Sequence, residues 1–550
     1  MSDKINVLKI AAFLHDLGKL LNWSGELHLL EGARVLKHLG FEDTVVGVAL
    51  YHEPSEKHLN ILHGLINDHT DCAGLGVYSD YDEYSLLLGE TVDKLMAGFD
   101  RIGEEKRQQP VVLRNPLTHL PMNGEFRKFS ATVKPKDGKE PDDAYLREFV
   151  WQRFLPNARL VPLEADATKQ AYVLDDNLKE TQLLQVLAAI KDKDFNTFYR
   201  ALEQAQCWRE PTLRWIPQGH HPPTDTLALW YHWQFSSAMA GLYWAEGFNT
   251  VAKIKAERAC LGSKPLQVKI GLLYVRLAGV TEYFASAYRL PDLDGMQEMA
   301  RTLKVTIRER LLKTRCNETP IVWDDNFLYE GHDDILLMIP VDETAGDPPE
   351  LEYVHGVAAS DPFLRELRAA LDTRAVLEDA VKNLLTNSRV RHWMIDPADR
   401  RAFGDGARLN EQLASLVSVE WATRCMAGFA DGSDLRALFG VVWNQLRGEA
   451  RSHLSLRPSG AHYFAGDVCD SCRQNLAGYD HDPARPREWQ AVDWDRRIFR
   501  AETRSESGRP AYSRVFRSES ETPGTGDKLC HACLLRRLLG RGTGLDEIAP

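Results

Sequence analysis

The pair His15-Asp16 lies in an otherwise apolar helical stretch, AAFLHDLGK, and is the part of the sequence best suited to chemistry. Burying such a pair is costly unless another group compensates its charge. A metal ion is the simplest compensation, because imidazole and carboxylate are both good ligands for divalent transition metals. Lys19 completes the motif and could contact a phosphate oxygen. We therefore take His15, Asp16 and Lys19 as candidate catalytic residues, against the alternative of a helix-capping or solvent-exposed pair.

Two further histidines favour the metal interpretation. His28 begins one helical segment and His52 ends the next, so both lie near loops where side chains from several helices can converge. The pattern resembles an HD-type phosphohydrolase domain, which implies one more aspartate ligand on a later helix. Asp68 and Asp71 are the candidates, with Asp71 slightly preferred. A metal-activated hydroxide would attack a phosphodiester, and Lys19 or a second metal would stabilise the developing charge.

Four of the nine cysteines form two CxxC pairs, Cys469 with Cys472 and Cys530 with Cys533. The two-residue spacing lets two thiolates bind one tetrahedral ion, and two such pairs complete a closed four-thiolate site. We predict a structural Zn2+ site on a long inserted module, with two unrelated turns as the alternative. Redox chemistry would need a thioredoxin-like βαβ pattern nearby, which the sequence does not show.

A hairpin is predicted in FLYEGHDDILLMIP, with Asp333 and Asp334 at its tight turn. In polymerase and cyclase palms, a carboxylate pair at this place binds two metal ions and a nucleotide triphosphate. Such a site also needs an acid on the preceding strand, which we predict at 268–277 and which carries Arg276 instead. An aspartate-rich turn without metal is therefore favoured, and Mg2+ with ATP is the alternative ligand.

Composition restricts the functional classes. The formal net charge of −12 argues against coating nucleic acid by bulk positive charge. Nine cysteines in 550 residues are too few for a secreted disulfide framework. No apolar run approaches the roughly 20 residues that span a bilayer, and no secretory leader is visible. We expect a cytoplasmic protein without a membrane partner.

Four motifs, taken in order, resemble the large subunit of type III CRISPR–Cas effector complexes. They are AAFLHDLGK, the stretch LRWIPQGHHPPTDTLALWYHWQFSSAMAGLYW at 213–244, the hairpin ending in GHDDILLMIP, and the CDSC and LCHACLLRR pairs. The resemblance implies a circularly permuted HD domain that cuts single-stranded DNA when target RNA is bound. It implies Mn2+, Ni2+ or Co2+ at the HD site, and guide RNA and other effector subunits as partners.

The family also carries a second palm that makes cyclic oligoadenylates from ATP. The GHDD turn here precedes the cysteine pairs and so matches the first palm, which is usually non-catalytic. The chain ends at Pro550, where the second palm should begin, so we expect a fragment, a split gene or a truncated form. Cyclic oligoadenylate synthesis by this chain alone is not expected, and a separate polypeptide would supply that palm. Glu53 stands where the family often has another histidine.

The expected architecture is an α+β multidomain protein with a helical HD domain, a ferredoxin-like palm domain and a helical region with the four-cysteine zinc module. The periodicity predicts mainly helical structure over 144–206 and 359–450. The predicted domains are the HD domain at 1–102, a linker and helical region at 103–245, the first palm at 246–345, a helical region at 346–456 and the zinc-binding module at 457–550.

Three other functions fit the same motifs. The HD site could be degenerate, which would leave a scaffold that organises guide RNA and partner subunits. The chain could be the large subunit of a DNA-targeting hybrid CRISPR complex, or a free-standing HD nucleotidase acting on small phosphate esters. Metal content and substrate length distinguish these classes, because a nucleotidase hydrolyses mononucleotides, a nuclease prefers strands and a scaffold does neither.

Overall fold

The computed structural model describes thirteen stretches of the chain. They are residues 2–20, 25–53, 87–100, 159–163, 166–173, 182–205, 229–280, 283, 290–341, 361–388, 390, 407–452 and 531–540.

The N-terminal part is helical, as the periodicity predicts. Its elements are α1 (Ser2–Leu14), a 3-10 turn (Leu17–Leu20), α2 (Gly25–Leu39), α3 (Asp43–Tyr51), a π-helical turn (Leu88–Val92) and α4 (Asp93–Asp100). Helix α3 packs on both α1 and α2, and all three helices contribute fully buried residues such as Phe13, Leu36 and Val48 to one core.

A short hairpin corrects the helical prediction for 144–206. Strands β1 (Arg159–Leu163) and β2 (Asp166–Val173) pair antiparallel, with Arg159 opposite Val173. Pro162 is poorly suited to a helix interior, and the pairing supplies the backbone hydrogen bonds that a helix would have made. Among the described residues of this range, the helical prediction holds for the two helices that follow.

Four helices are described between this hairpin and the sheet of the second half. They are α5 (Gln182–Ile190), α6 (Phe195–Gln204), α7 (Leu229–Ala245) and α8 (Val251–Cys260). Asp194 caps α6, since its Oδ1 accepts a hydrogen bond from the Thr197 amide at 3.1 Å. Helix α7 is mostly apolar, has no distinct polar face and is almost completely buried, which is typical of a helix surrounded by other elements. It packs along α1.

The strand predicted at 268–277 and the predicted hairpin are both confirmed, and they form one sheet. The elements in chain order are β3 (Ile270–Ala278), α9 (Leu290–Lys313), the short pair β4 (Arg315–Cys316) and β5 (Thr319–Pro320), a 3-10 turn (Asp324–Asn326), β6 (Phe327–Glu330) and β7 (Asp334–Pro340). The four-stranded sheet has the order β6-β7-β3-β8, and all neighbours pair antiparallel.

Its fourth strand corrects the mainly helical prediction for 359–450. The elements there are α10 (Pro362–Ala370), α11 (Thr373–Thr386), α12 (Ala407–Leu416), β8 (Ser418–Met426) and α13 (Gly432–Ser452). Strand β8 lies at the sheet edge and is mostly half-buried, so its sequence lacks the apolar alternation of a strand with one buried face. The sheet therefore continues beyond residue 345, where we placed the end of the palm. Helix α14 (His531–Gly540) packs on α9.

Two cores lie on the two faces of the sheet. Along β3, Leu272 belongs to a core shared with α1, α3, α6, α7 and α13, whereas Leu273 belongs to a core shared with α9, α11, α12 and α14. This division follows from the two-residue side-chain period of a strand. The N-terminal helices and one face of the sheet consequently share a single core. No helix among the described residues is long and apolar enough to cross a membrane.

Candidate metal centre

Three N-terminal helices bring four of the predicted ligands to one point. His15 and Asp16 directly follow α1, His28 lies in α2, and His52 is the C-cap residue of α3. Their side chains are at most 2% exposed. His15, Asp16 and His52 lie at helix ends, and only His28 lies within a helix. Side chains from separate helices can therefore converge at one point.

Gly18 explains how α2 comes so close to the His-Asp pair. A Cβ atom at Gly18 would lie 1.7 Å from the carbonyl oxygen of His28 and 2.8 Å from the backbone nitrogen of Gly32. Any larger residue would push α2 away, and with it the imidazole of His28. The glycine of the HDLGK motif is therefore a packing requirement of the cluster.

Two additional residues, Asp93 and His232, complete the cluster. Asp93 is the first residue of α4 and directly follows the π-helical turn, a rare feature that is frequent at functional sites. This turn packs on α3, since a Cβ at Gly89 would lie 2.3 Å from the carbonyl oxygen of His52. His232 lies in the first turn of α7 and is fully buried.

One donor group contains His15, Asp16, Asp93 and His232. The Nε2 atoms of His15 and His232 are 3.2 Å apart. Oδ1 of Asp93 lies 3.5 Å from Nε2 of His15 and 3.3 Å from Nε2 of His232. Oδ2 of Asp16 lies 3.4 Å and 3.3 Å from the same two nitrogens.

A second donor group contains Asp16, His28 and His52. Its centre is the other carboxylate oxygen, Oδ1 of Asp16, which lies 3.4 Å from Nε2 of His28 and 3.2 Å from Nε2 of His52. In each group, one ligand atom from each residue lies within 4.8 Å of all the others. Asp16 thus belongs to both groups, with one oxygen facing each.

The donor set fits a divalent transition metal. Oδ1 of Asp16 and Nε2 of His52 are buried and make no hydrogen bond of good geometry within the described residues. Buried polar atoms normally have a hydrogen-bond partner. A bound metal ion would explain why these two atoms do not. Imidazole nitrogens with carboxylate oxygens suit Mn2+, Fe2+, Co2+, Ni2+ or Zn2+.

Backbone carbonyls orient two of the imidazole rings. Nδ1 of His15 donates to the carbonyl oxygen of Ala12 at 2.7 Å, and Nδ1 of His52 donates to that of Ala49 at 3.1 Å. When Nδ1 carries this proton in the neutral ring, Nε2 presents its lone pair to the cluster. In the neutral form, both rings are therefore held in the tautomer that binds a metal through Nε2.

The charges of the metal-free cluster are strongly perturbed. Burial opposes ionisation of Asp16, but Lys19 and His15 hold the pKa of its carboxyl well below the usual range. Burial also opposes the charged form of His15, yet Asp16 and Asp93 raise its pKa to about 9. By contrast, burial lowers the pKa of the His52 imidazole. The metal-free site thus keeps a proton on His15 at neutral pH, where an ion would replace it.

Lys19 lies against the cluster. Its Nζ donates to Oδ2 of Asp16 at 2.5 Å, and the side chain is 11% exposed. Burial opposes its charge, while Asp16 raises the pKa of the ammonium group. The lysine therefore stays cationic beside the carboxylate that both donor groups share.

The structure brings together His15, Asp16, Lys19, His28 and His52, whereas Asp68 and Asp71 lie outside the described residues. Asp93 and His232 were missed by the sequence analysis. His232 had a recognisable pattern, namely a histidine inside the apolar run LALWYHWQF, within the stretch at 213–244. No comparable pattern distinguishes Asp93 from other acidic residues near a helix start.

The hairpin turn carries Asp333 and Asp334 next to a cation and a phenol. Tyr274 on β3 donates its hydroxyl to Oδ2 of Asp334 at 3.0 Å, and Nε of Arg276 lies 4.0 Å from Oδ2 of Asp333. Arg276 is also opposite Asp334 in the β3–β7 register. The strand position where a palm site needs an acid thus carries a guanidinium group.

Of the four predicted zinc ligands, only Cys533 falls within the described residues; Cys469, Cys472 and Cys530 lie outside them. Cys533 is buried in α14, where the Tyr283 hydroxyl lies 3.4 Å from its sulfur. The side chain of Arg536 is buried beside it, with its guanidinium 4.2 Å from the Tyr283 ring centroid. This environment anchors α14 on the second core.

Together, the cluster and the fold define a mixed helix-and-sheet protein with a buried histidine–aspartate group of metal-ligand type. In a comparison with solved structures, the chain is similar to Csm1 chains. Csm1 in T. onnurineus is 12% identical over 87% of this chain and 53% of that chain, with a TM-score of 0.37. An apo Csm1–Csm4 cassette is 13% identical over 83% of this chain and 48% of that chain, with a TM-score of 0.42. The cassette in complex with cA4 is 13% identical over 86% of this chain and 52% of that chain, with a TM-score of 0.40.

The chain spans about half the length of the chains it matches. No family model and no curated protein matches the sequence.

Proposed function

We propose that the cluster around Asp16 is the divalent metal site of an HD-type phosphodiesterase whose substrate is single-stranded DNA. The observation that carries this proposal is the position of Asp16, whose two carboxylate oxygens face two separate groups of histidine and aspartate donors. Shared carboxylates of this kind are suited to one ion or a pair of ions. Mn2+, Ni2+ or Co2+ is the expected ion, and Asp68 and Asp71 remain candidate ligands in addition.

The residues of the chain divide the work of hydrolysis. Divalent ions bound here would act as Lewis acids and lower the pKa of a water molecule. His15, His28, His52 and His232 would present Nε2 atoms, and Asp16 would balance the charge. Lys19 is 11% exposed and could contact a non-bridging phosphate oxygen while keeping its ion pair with Asp16.

We further infer that the chain is the large subunit of an RNA-guided type III CRISPR effector complex. The four ordered sequence motifs support this, since AAFLHDLGK supplies the cluster and the 213–244 stretch supplies His232. The sheet also fits a first palm. A ferredoxin-like unit has two strand–helix–strand halves, as in β3, α9 and β6 followed by β7, the helices α10 to α12 and β8, and the sheet order is β6-β7-β3-β8. Guide RNA, target RNA and other effector subunits are the partners on this proposal, and a structural Zn2+ would be bound by the four cysteines.

The hairpin turn is proposed to have no cyclase chemistry of its own. The guanidinium of Arg276 faces the carboxylate of Asp333, and the hydroxyl of Tyr274 donates a hydrogen bond to Asp334. These two carboxylates would otherwise be available to hold Mg2+ and ATP. Synthesis of cyclic oligoadenylate would then depend on a palm other than this one.

Cleavage of labelled single-stranded DNA by the purified chain tests the proposal. Reactions would contain Mn2+, Co2+ or Ni2+, with a mononucleotide as the second substrate and the His15→Ala/Asp16→Ala double variant beside the wild type. We expect strand cleavage that depends on metal and is absent in the double variant. Hydrolysis of mononucleotides alone would instead indicate a nucleotidase.

A negative result is also informative. If the wild type and the double variant are equally inactive with every metal, the scaffold function or a strict need for partner subunits is favoured. Metal content of the purified protein separates these two, because a scaffold with a degenerate site retains no ion.

A further inference from the structure

A buried lysine connects α1 to the turn that precedes the sheet hairpin. Lys9 lies on α1 and is 0% exposed, and its Nζ donates to Oδ2 of Asp325 at 2.7 Å. Asp325 belongs to the 3-10 turn before β6 and is also 0% exposed. Such a pair is expensive to bury, so its presence requires an explanation other than simple apolar packing.

The same lysine also joins α1 to α7. Its Nζ donates to the carbonyl oxygen of Ser237 at 3.0 Å, and the Ser237 hydroxyl donates back to the carbonyl oxygen of Lys9 at 3.0 Å. One turn further along α7, a Cβ atom at Gly241 would lie 2.9 Å from Nζ. The α7 surface is thus shaped to receive the lysine side chain.

A third contact closes the arrangement by joining α7 to the turn. Nε2 of Gln234 donates to the carbonyl oxygen of Asp325 at 3.2 Å and to that of Phe327 at 2.8 Å. Each of the three elements is therefore hydrogen-bonded to the other two. We call Lys9, Asp325, Ser237 and Gln234 the Lys9 clamp.

Aromatic rings surround the buried ammonium group. Nζ of Lys9 lies 4.7 Å from the ring centroid of Phe195 and 4.8 Å from that of Trp323. Burial lowers the pKa of Lys9, and the charge of Asp325 opposes this effect. The rings and the carboxylate compensate part of the desolvation cost.

The clamp joins α1 and α7, the two helices that also position His15 and His232 of the metal cluster. Lys9 contacts Ser237, while His15 contacts His232, so α1 and α7 run antiparallel. His15 lies six positions after Lys9, which corresponds to about 9 Å along a helix axis. The clamp is therefore a polar connection between the two helices, about 9 Å from the cluster.

We propose that the Lys9 clamp positions the metal ligands, by fixing α1 against α7 so that His15, Asp16 and His232 can reach the same ion. The inference rests on the metal-binding function proposed above. Ligands must be held within about 0.5 Å of their productive positions, and apolar side chains alone permit small sliding movements. Hydrogen bonds that join all three elements to one another oppose such sliding. Lys9 and Asp325 are positioning residues and do not touch the reacting groups.

The test compares Lys9→Met with Lys9→Arg, Asp325→Asn and a matched control, Arg536→Met, in the full chain. Arg536 is likewise a fully buried cation on an aromatic ring with a hydrogen bond to a backbone carbonyl, but it lies in the other core. Two quantities are measured, namely Mn2+ affinity by calorimetry and amide hydrogen exchange of the metal-free protein.

We expect Lys9→Met to weaken Mn2+ binding at least about 10-fold, to leave the far-UV circular dichroism spectrum unchanged and to accelerate exchange in α1 and α7. Lys9→Arg should retain most of the affinity because it keeps the charge and a donor. Arg536→Met should change Mn2+ affinity by less than about twofold even if it lowers the melting temperature. Asp325→Asn keeps the side-chain volume and provides the same comparison if Lys9→Met does not fold.

Wild-type affinity and wild-type exchange in both Lys9→Met and Asp325→Asn would overturn the inference. So would an equal loss of affinity in Arg536→Met, because stability alone would then explain the effect. A wild-type protein that binds no Mn2+ would contradict the proposed function instead. In that case the exchange of α1 and α7 in the metal-free variants still decides whether the clamp positions the helices.

Discussion

At the residue scale, the two oxygens of Asp16 give the cluster its distinctive geometry. Each oxygen belongs to a different donor group, and the remaining ligands of the two groups do not overlap. Removal of a shared ligand should therefore affect the whole cluster, whereas removal of an unshared ligand should affect one half. This difference can be measured as the number of ions bound.

Asp16→Asn should abolish Mn2+ binding at both groups and reduce DNA cleavage at least about 100-fold, because loss of a ligand exceeds the usual cost of losing a supporting contact. His28→Ala should lower the stoichiometry by one ion, since His28 belongs to one group only. Elemental analysis of dialysed protein measures both. Glu42→Gln is the matched control, since Glu42 is an exposed N-cap residue of α3 whose side chain makes no capping hydrogen bond. Equal stoichiometry in Asp16→Asn and wild type would contradict the shared-ligand geometry.

The pKa of about 9 for His15 predicts how the metal-free protein responds to pH. The folded-state pKa is raised above the ordinary value of about 6.5. This group therefore contributes stability that is fully present below about pH 6.5 and is lost as the pH rises through about 9. The melting temperature in EDTA should fall over that interval, and His15→Gln should flatten the dependence. A melting temperature that rises between pH 7 and 9 in the wild type, but not in the variant, would contradict a raised pKa of His15.

At the element scale, the close approach of α2 to the turn after Asp16 depends on a single glycine. Gly18→Ala should destabilise the fold by about 3 kcal/mol or more, because the added methyl group meets backbone atoms that cannot rotate away. Gly262→Ala is the control, since Gly262 has a positive φ of 75° but open space around its Cβ position. The Gly262→Ala substitution should lower the free energy of unfolding by only about 1 kcal/mol. Chemical denaturation measures both, and equal losses would argue against the close contact.

The same scale shows why some ligands could be predicted and others could not. His15, Asp16, His28 and His52 stand out because polar residues interrupt apolar helices or end them, which a sequence records directly. The position of Asp93 in the cluster depends on a π-helical turn. Hydrophobic periodicity does not reveal one turn of this kind in a sequence. The half-buried edge strand β8 was missed for a similar reason, since its exposure pattern fits no simple period.

At the scale of the whole molecule, long-range packing makes the N-terminal helices dependent on the rest of the chain. Phe13 on α1 contacts five aromatic rings, all from α6 or α7: Phe195, Phe198, Tyr199, Trp230 and Trp233. The sequence suggested a domain boundary near residue 102, because hydrophobic periodicity describes each segment but not its partners. The strand and the hairpin could be predicted from the sequence, whereas the core that the sheet shares with α1 could not.

A fragment of residues 1–102 should consequently fail to fold cooperatively and should not bind Mn2+. It lacks α6 and α7, so Phe13 would lose burial worth about 2–3 kcal/mol, and His232 would be absent. Residues 1–452 retain every described element of the first core and serve as the control. Thermal unfolding followed by circular dichroism distinguishes the two fragments. A sharp transition in the shorter one would show that the N-terminal helices are an independent domain.

The distance along the chain between His15 and His232 has a consequence for biosynthesis. The two ring nitrogens are 3.2 Å apart in space, but the residues are separated by 217 positions in sequence. A ribosome that adds about 5 to 20 residues per second needs about 10 to 40 s to cover that interval. Throughout this period the nascent chain exposes the first ligands without the helix that completes the site. Assembly of the metal centre is therefore a late event of translation, even though its first two ligands are among the earliest residues made.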